Sequence, residues 1–234
     1  MFCRYSLRTT DQVAARAFYA EAIGLVLPDG TSAESLLEAW PLHEQALARG
    51  ARPHWLGHLA VDNVQAMVDR LVGLGSEPLG PAVHAKDGTP FAMLRDPFGD
   101  LIAVRARGGS ANASPVVWHQ LHTRDVEGAW ALYHELFGWA HKQTLDVPEP
   151  VGGYRLFAWN EAGVPVGGMG NTARSPGVHT HWEFFLPVVD IDEAAARVRA
   201  LGGKAMEPFV LPDGMRLVAC DDPQGAAFGL AQLA

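Results

Sequence analysis

The sequence predicts an α+β protein built as two tandem copies of one unit. Three observations predict it. Blocks of sequence recur in the same order, helical and strand-like periodicities alternate, and no glycine-rich phosphate loop follows any strand as a dinucleotide-binding fold would require. In the first block, Thr9, Asp11, Ala15, Ala17, Tyr19, Glu21 and Gly24 recur as Thr123, Asp125, Ala129, Ala131, Tyr133, Glu135 and Gly138. The second pairs HWLGHLAVDNVQAMVDRLVGLG, from His54, with HWEFFLPVVDIDEAAARVRALGG, from His181. The third pairs DGTPFAMLRDPFGDLIAV, from Asp87, with DGMRLVACDDPQGAAFGL, from Asp213. The junction RGGSANASP is small and polar, as an exposed linker is. The predicted units are residues 1–107 and 116–234, joined by 108–115.

Each block implies its own structure. Arg4 to Thr9 and Val117 to Thr123 alternate as strands do. Ala15, Phe18, Tyr19, Ala22 and Ile23 then form one apolar helical stripe, repeated by Ala129, Leu132, Tyr133, Leu136 and Phe137. Asp11 and Asp125 stand where an N-cap acceptor belongs, and Gly24 and Gly138 where the chain turns out. The second block repeats this plan, with Asn63 and Asp190 as caps and Gly75 and Gly202 as stops. The third reads as two strands joined by the turns DPFGD and DPQGA.

The halves are unequal. Between its first helix and its second strand, half one is much shorter than half two, too short for three strands. There PLHEQALARG predicts a helix with Pro41 at its first position. Half two keeps strand-like runs at Tyr154 to Trp159 and Val164 to Met169, and GVPVGGMGN predicts a flexible hairpin at a cavity edge. The complete cavity is therefore expected in half two.

Composition narrows the function classes. With 48% apolar and 19% charged residues, the chain is an ordinary globular one. A net charge of −8 gives no basic face for nucleic acid or an anionic membrane. No apolar run nears the ~20 residues that span a bilayer, and the N-terminus lacks a signal-peptide core. Cys3 and Cys220 form no paired motif, which argues against a disulfide framework and fits a reduced cytoplasm.

A strand ending in T-x-D, a helix with F-Y or L-Y closing on I-G or F-G, and a D-P-x-G turn before the last strand resemble the vicinal oxygen chelate superfamily of glyoxalases, bleomycin-resistance proteins and extradiol dioxygenases, in its two-domain tandem branch. The resemblance covers nearly the whole chain, once per half. It implies paired βαβββ modules forming open half-barrels around a small-molecule cavity. It also implies metal ligands on the first, middle and last strands. Those places hold Arg4, Leu56 and Ala103 in half one, and Trp118, Glu183 and Gly229 in half two, so Glu183 is the single donor and no family-type metal site or cofactor is expected. A shifted site using Gln120, His122 and Glu183 stays open, because Trp118, Gln120 and His122 alternate onto one strand face.

Site candidates follow. Glu183, between Trp182 and Phe184, is a carboxylate in an apolar strand, and His122 is a neutral-range acid–base group; both are candidate catalytic residues. Trp118, Gln120 and Tyr154 are candidate substrate-binding residues on the half-two sheet. Arg4 and Arg8, which share a strand face with Ser6, are candidates for an anionic substrate group. Trp40, Trp55, Trp118, Trp159 and Trp182 suit a core better than a ligand cage. Three functions stand: a small-molecule-binding protein without the family metal; an enzyme, metal-independent or with a shifted metal, acting on a small oxygenated substrate; or an interaction protein whose duplicated domains only present surfaces. The partner is a small molecule, and internal pairing of the halves suits a monomer, with a homodimer open.

Overall fold

A computed structural model describes residues 1–28, 35–85, 87–108 and 114–234. Most of the predicted linker lies outside the described residues. In half one the order is β1 (Phe2–Thr9), α1 (Gln12–Ile23), β2 (Leu37–Pro41), α2 (Glu44–Ala48), β3 (His54–Val61), α3 (Val64–Gly73), β4 (Glu77–Pro78), β5 (Val83–His84), β6 (Pro90–Arg95) and β7 (Leu101–Ala106). Half two follows with β8 (Trp118–His122), α4 (Val126–Phe137), β9 (Ala140–Val147), β10 (Gly152–Ala158), β11 (Gly167–Gly170), β12 (His181–Pro187), α5 (Ile191–Ala200), β13 (Lys204–Ala205), β14 (Phe209–Val210), β15 (Arg216–Asp221) and β16 (Ala227–Gln232).

The predicted caps do their work. Asp11 accepts from the backbone N–H groups of Val13 and Ala14, and Gly24 ends α1 at φ 69°. Asp125 and Gly138 (φ 65°) do the same for α4, and Asn63 and Asp190 cap α3 and α5. The buried stripe of α1 is Ala15, Phe18, Tyr19 and Ala22, and that of α4 includes Ala129, Leu132, Tyr133 and Leu136.

Each half forms one open sheet, in the order β2-β1-β3-β7-β6-β4 for the first and β13-β15-β16-β12-β8-β11-β10-β9 for the second. The two modules of a half join through their first strands, which run antiparallel. Arg8 lies opposite His54 and Ser6 opposite Leu56 in half one. His122 lies opposite His181 and Gln120 opposite Glu183 in half two. The duplicated sequence thus reproduces its register. Among the described residues, β2 and α2 lie between α1 and β3 in half one, where half two has β9, β10 and β11 between α4 and β12.

Three expectations are corrected. Pro41 does not open a helix; it ends β2, which pairs parallel with β1. The free edge of β1 takes up the segment, and the helix is confined to Glu44–Ala48, capped by the His43 side chain. The strand expected from Val164 starts instead at Gly167, where its register with β8 and β10 begins. GVPVGGMGN is not a flexible edge either: Gly167 to Gly170 are buried in a central strand. A Cβ on Gly168 would lie 2.2 Å from the Tyr154 ring. Gly168→Ala is therefore expected to cost about 1–3 kcal/mol by overpacking, against almost nothing for Gly163→Ala in the preceding loop, where the nearest atom is 3.5 Å away. Urea unfolding followed by tryptophan fluorescence checks this, and equal midpoints would refute it.

One buried cluster runs through both halves, from Leu7, Tyr19 and Trp55 to Tyr133, Trp182 and Phe228. At its centre the repeated motifs clasp each other. Trp182 Nε1–H donates to the Tyr133 hydroxyl (3.1 Å), which donates to Asp96 in the D-P-F-G turn of the other half (3.0 Å). Trp55 Nε1–H donates to the Tyr19 hydroxyl (2.9 Å), which donates to Asp222 in the D-P-Q-G turn (3.3 Å). The turn of each half thus holds the helix of the other. No helix among the described residues is long and apolar enough to cross a membrane.

Candidate functional site

The candidate site is on the half-two sheet, where β8 and β12 lie side by side. Strand alternation sends His119 one way and His122 the other. His119 enters the core between the halves; its Nδ1–H donates to Val166 O, and its Nε2 accepts from the Tyr5 hydroxyl at 2.6 Å. Gln120 and His122 share the opposite face with Glu183 and His181 of β12.

His122 is the hub. Its Nδ1–H donates to Thr172 Oγ1 (2.7 Å), in the short helical turn after β11. Its Nε2 then accepts, lying 2.9 Å from Glu183 Oε2 and 3.2 Å from the Gln120 amide nitrogen. His181 stacks on His122 with ring centroids 4.4 Å apart, and its Nδ1–H donates to the His179 carbonyl (2.8 Å). Both histidines are therefore held in the tautomer that leaves Nε2 as the lone-pair atom. Burial pushes the Glu183 carboxyl up to about 8, against the pull of His181. It pulls His122 down to about 4 and His181 to about 3. Near neutral pH the protonated Glu183 donates to a neutral His122.

His122, His181 and Glu183 each offer a ligand atom, all within 4.8 Å of one another. Two donors about 2.1 Å from one ion are at most about 4.2 Å apart. The widest pair thus has to close by roughly half an ångström, a side-chain adjustment. With each Nδ1 tied to an oxygen, the donors fit a divalent ion in the way metal-ligating histidines are ordinarily oriented. In half one, Arg8, His54 and Leu56 occupy the same register positions and cannot hold a cation.

Beside the cluster lies a cavity of about 190 Å³. Its walls include Val147, Val151, Tyr154, Phe185 and Leu217, and it meets the cluster at Gln120 and Thr172, the two side chains bonded to His122. The Tyr154 hydroxyl donates to Gln120 Oε1 (3.0 Å).

The sequence-predicted residues divide as follows. Glu183, His122, Gln120 and Tyr154 come together. Trp118 is adjacent but buried beneath Tyr154, to whose hydroxyl its Nε1–H donates at 3.4 Å; it supports the wall and does not line the cavity. Arg4 is not brought to the site. It is buried in half one, 3.1 Å from Glu38 and 3.7 Å from Asp87, so its charge is already compensated. The family's ligand position at Gly229 is sterically closed, since a Cβ there would lie 2.2 Å from the Phe185 ring. His181 was missed. It lies two residues before Glu183 and so on the same strand face, but only the register with β8 sets it opposite His122.

Comparison with known proteins agrees with this architecture. The model of the glyoxalase-like domain matches residues 4–105 and 118–231. CFP32 of Mycobacterium tuberculosis (strain CDC 1551 / Oshkosh), which carries a provisional glyoxylase name, is 30% identical over 246 aligned positions, covering 96% of this chain and 91% of that protein. The anthracycline biosynthesis protein DnrV of Streptomyces peucetius is 28% identical over 188 positions, covering 76% of this chain and 66% of that protein. Among solved structures, the Mn(II)-bound glyoxalase from Novosphingobium aromaticivorans superposes with a TM-score of 0.63 at 14% identity, covering 99% of this chain and 81% of that one. The 2,2',3-trihydroxybiphenyl 1,2-dioxygenase of Sphingomonas wittichii strain RW1 gives 0.64 at 11%, covering 99% and 90%. The open sheet in each half and these neighbours establish the fold, and the two matched segments with the 30% identical relative establish the family: the chain belongs to the glyoxalase-like domain proteins of the vicinal oxygen chelate superfamily, and carries that domain twice.

Proposed function

We propose that half two binds a divalent metal ion through His122, His181 and Glu183 and acts with it on a small oxygenated substrate held in the neighbouring cavity. The observation that carries this reading is the orientation of the donors: two histidines with Nδ1 tied back and Nε2 lone pairs left over, beside a buried carboxyl. Two imidazoles and one carboxylate leave coordination positions open, as catalytic sites for Fe(II), Mn(II) or Zn(II) do. Relatives in fold include a Mn(II)-bound glyoxalase and a dioxygenase named for a trihydroxylated substrate.

When bound, such an ion supplies a Lewis acid for substrate oxygens. The chain supplies the rest. Val147, Val151, Phe185 and Leu217 hold the apolar part of a substrate and exclude water. Gln120 and Tyr154 present an amide and a hydroxyl where the cavity meets the cluster. Thr172 fixes the His122 tautomer. Thr172→Val is expected to weaken metal binding about 10–100-fold with the fold intact, and Thr172→Ser to restore it, read by metal titration of chelator-stripped protein. An unchanged affinity in Thr172→Val would contradict the role of that hydroxyl.

A second reading has its own support. The 2.9 Å His122–Glu183 contact, with a carboxyl raised to about 8, is also a metal-free acid–base pair. Elemental analysis separates the two: the metal reading predicts a stoichiometric ion dependent on all three residues, the metal-free reading none.

A further inference from the structure

Half one has a cavity of its own, of about 270 Å³. Its floor is the register equivalent of the half-two cluster. Arg8 lies opposite His54 as His122 lies opposite His181, and Leu56 stands where Glu183 stands. Half one has therefore kept one histidine, lost the carboxylate, and put a permanent cation where half two has a neutral imidazole. We propose that this pocket is a second small-molecule site, independent of metal, that takes an organic carboxylate with an apolar body.

The surroundings of Arg8 support this. Its Nε is buried and has no hydrogen-bond partner, and its guanidinium packs 5.3 Å over the Trp40 ring and 3.9 Å from Met93 Sδ. Among the described residues no carboxylate lies within ion-pair distance of it; Glu38, which acts on it through space, is hydrogen-bonded to Arg4 at 3.1 Å. Burial lowers the Arg8 pKa to about 10, which leaves the group charged at neutral pH. A desolvated guanidinium lacking a counter-ion gains most from an incoming carboxylate, whose two oxygens match its planar fork.

The rest of the pocket matches such a ligand. Leu42, Leu56 and Met93 give apolar walls, Arg49 and Arg95 are exposed residues of its lining, and no Asp or Glu lines it among the described residues. An acid group directed at Arg8 would leave its hydrocarbon against those walls. The proposal does not rest on the metal reading of half two.

The test uses phenylacetate as probe on the full chain in excess chelator, with binding followed by ligand-observed and protein-observed NMR. Saturable binding is expected. The uncharged isostere phenylacetamide is expected to bind about tenfold or more weakly, the loss of one charge-assisted pair, in a comparison that needs no mutation. Arg8→Gln should weaken phenylacetate similarly, and Arg8→Lys less. Ala46→Phe, which narrows the pocket without touching Arg8, should also weaken it, whereas His122→Ala should leave it unchanged. Equal binding of acid and amide, no saturable binding of the acid, or loss of binding in His122→Ala would each overturn the proposal.

Discussion

Chain stripped with chelator and re-equilibrated with Mn(II), Fe(II) or Zn(II) should take up one of these ions stoichiometrically, and Glu183→Gln and His181→Ala should each abolish the uptake. Either substitution removes one of three protein donors from a site whose remaining positions are open, so little is left to hold the ion. Glu183→Gln nearly preserves shape and can turn an amide N–H toward the His122 Nε2 lone pair, so the fold should survive, as circular dichroism would show. The pH dependence gives an independent check. To ligate, Glu183 must release a proton, and its carboxyl in the metal-free protein is raised to about 8. The histidines, lowered to about 4 and 3, are already neutral through that range. Affinity should therefore rise about tenfold per pH unit toward pH 8 and level off above it. Uptake that is flat across this range, or that persists in Glu183→Gln, would rule out the assigned ligand set.

Tyr133→Phe should destabilise the whole chain by about 2–4 kcal/mol, since one lost hydroxyl strands two buried partners, the Trp182 indole N–H and the Asp96 carboxylate. The ring itself stays, stacked on Trp139 at 5.1 Å, so lost packing is not the cause. The deficit should grow with pH. Burial already raises the Asp96 pKa above its ordinary value, and the Tyr133 hydrogen bond lowers it. Removing that bond raises the folded-state value further. A carboxyl raised in the folded state loses stability as pH rises through its folded pKa, so the variant should be closest to wild type in mild acid. Tyr19→Phe, whose bond to Asp222 is longer at 3.3 Å, should cost less. Chemical denaturation across a pH series measures both. A Tyr133→Phe deficit under half a kilocalorie, or one that shrinks as pH rises, would remove the clasp as a source of stability.

The clasp also explains why the tyrosine and the D-P-x-G turn recur together in both halves. Each is half of a contact made only with the other copy, so the pair marks how the domains join and not what they bind. Away from that junction the copies have diverged. The same two strand positions carry His122 and Glu183 in one half and Arg8 and Leu56 in the other.

By itself the sequence determined the duplicated α+β architecture, the capped helices, the shortened first module and the candidacy of His122, Gln120, Tyr154 and Glu183. These depend on periodicity and local turn chemistry, which act over a few residues and are written in order along the chain. Only the tertiary structure decided the rest. Pro41 became the end of a strand because the edge of β1 was there to pair with it. Arg4 was paired with Glu38 and Asp87 inside half one, and Asp87 is far away in sequence. His181 joined the cluster through the β8–β12 register, which sets residues about sixty positions apart side by side. Charge compensation, steric closure at Gly229 and convergence of ligand atoms are all contacts between distant segments. Their energies depend on distances of a few ångströms that no local pattern encodes.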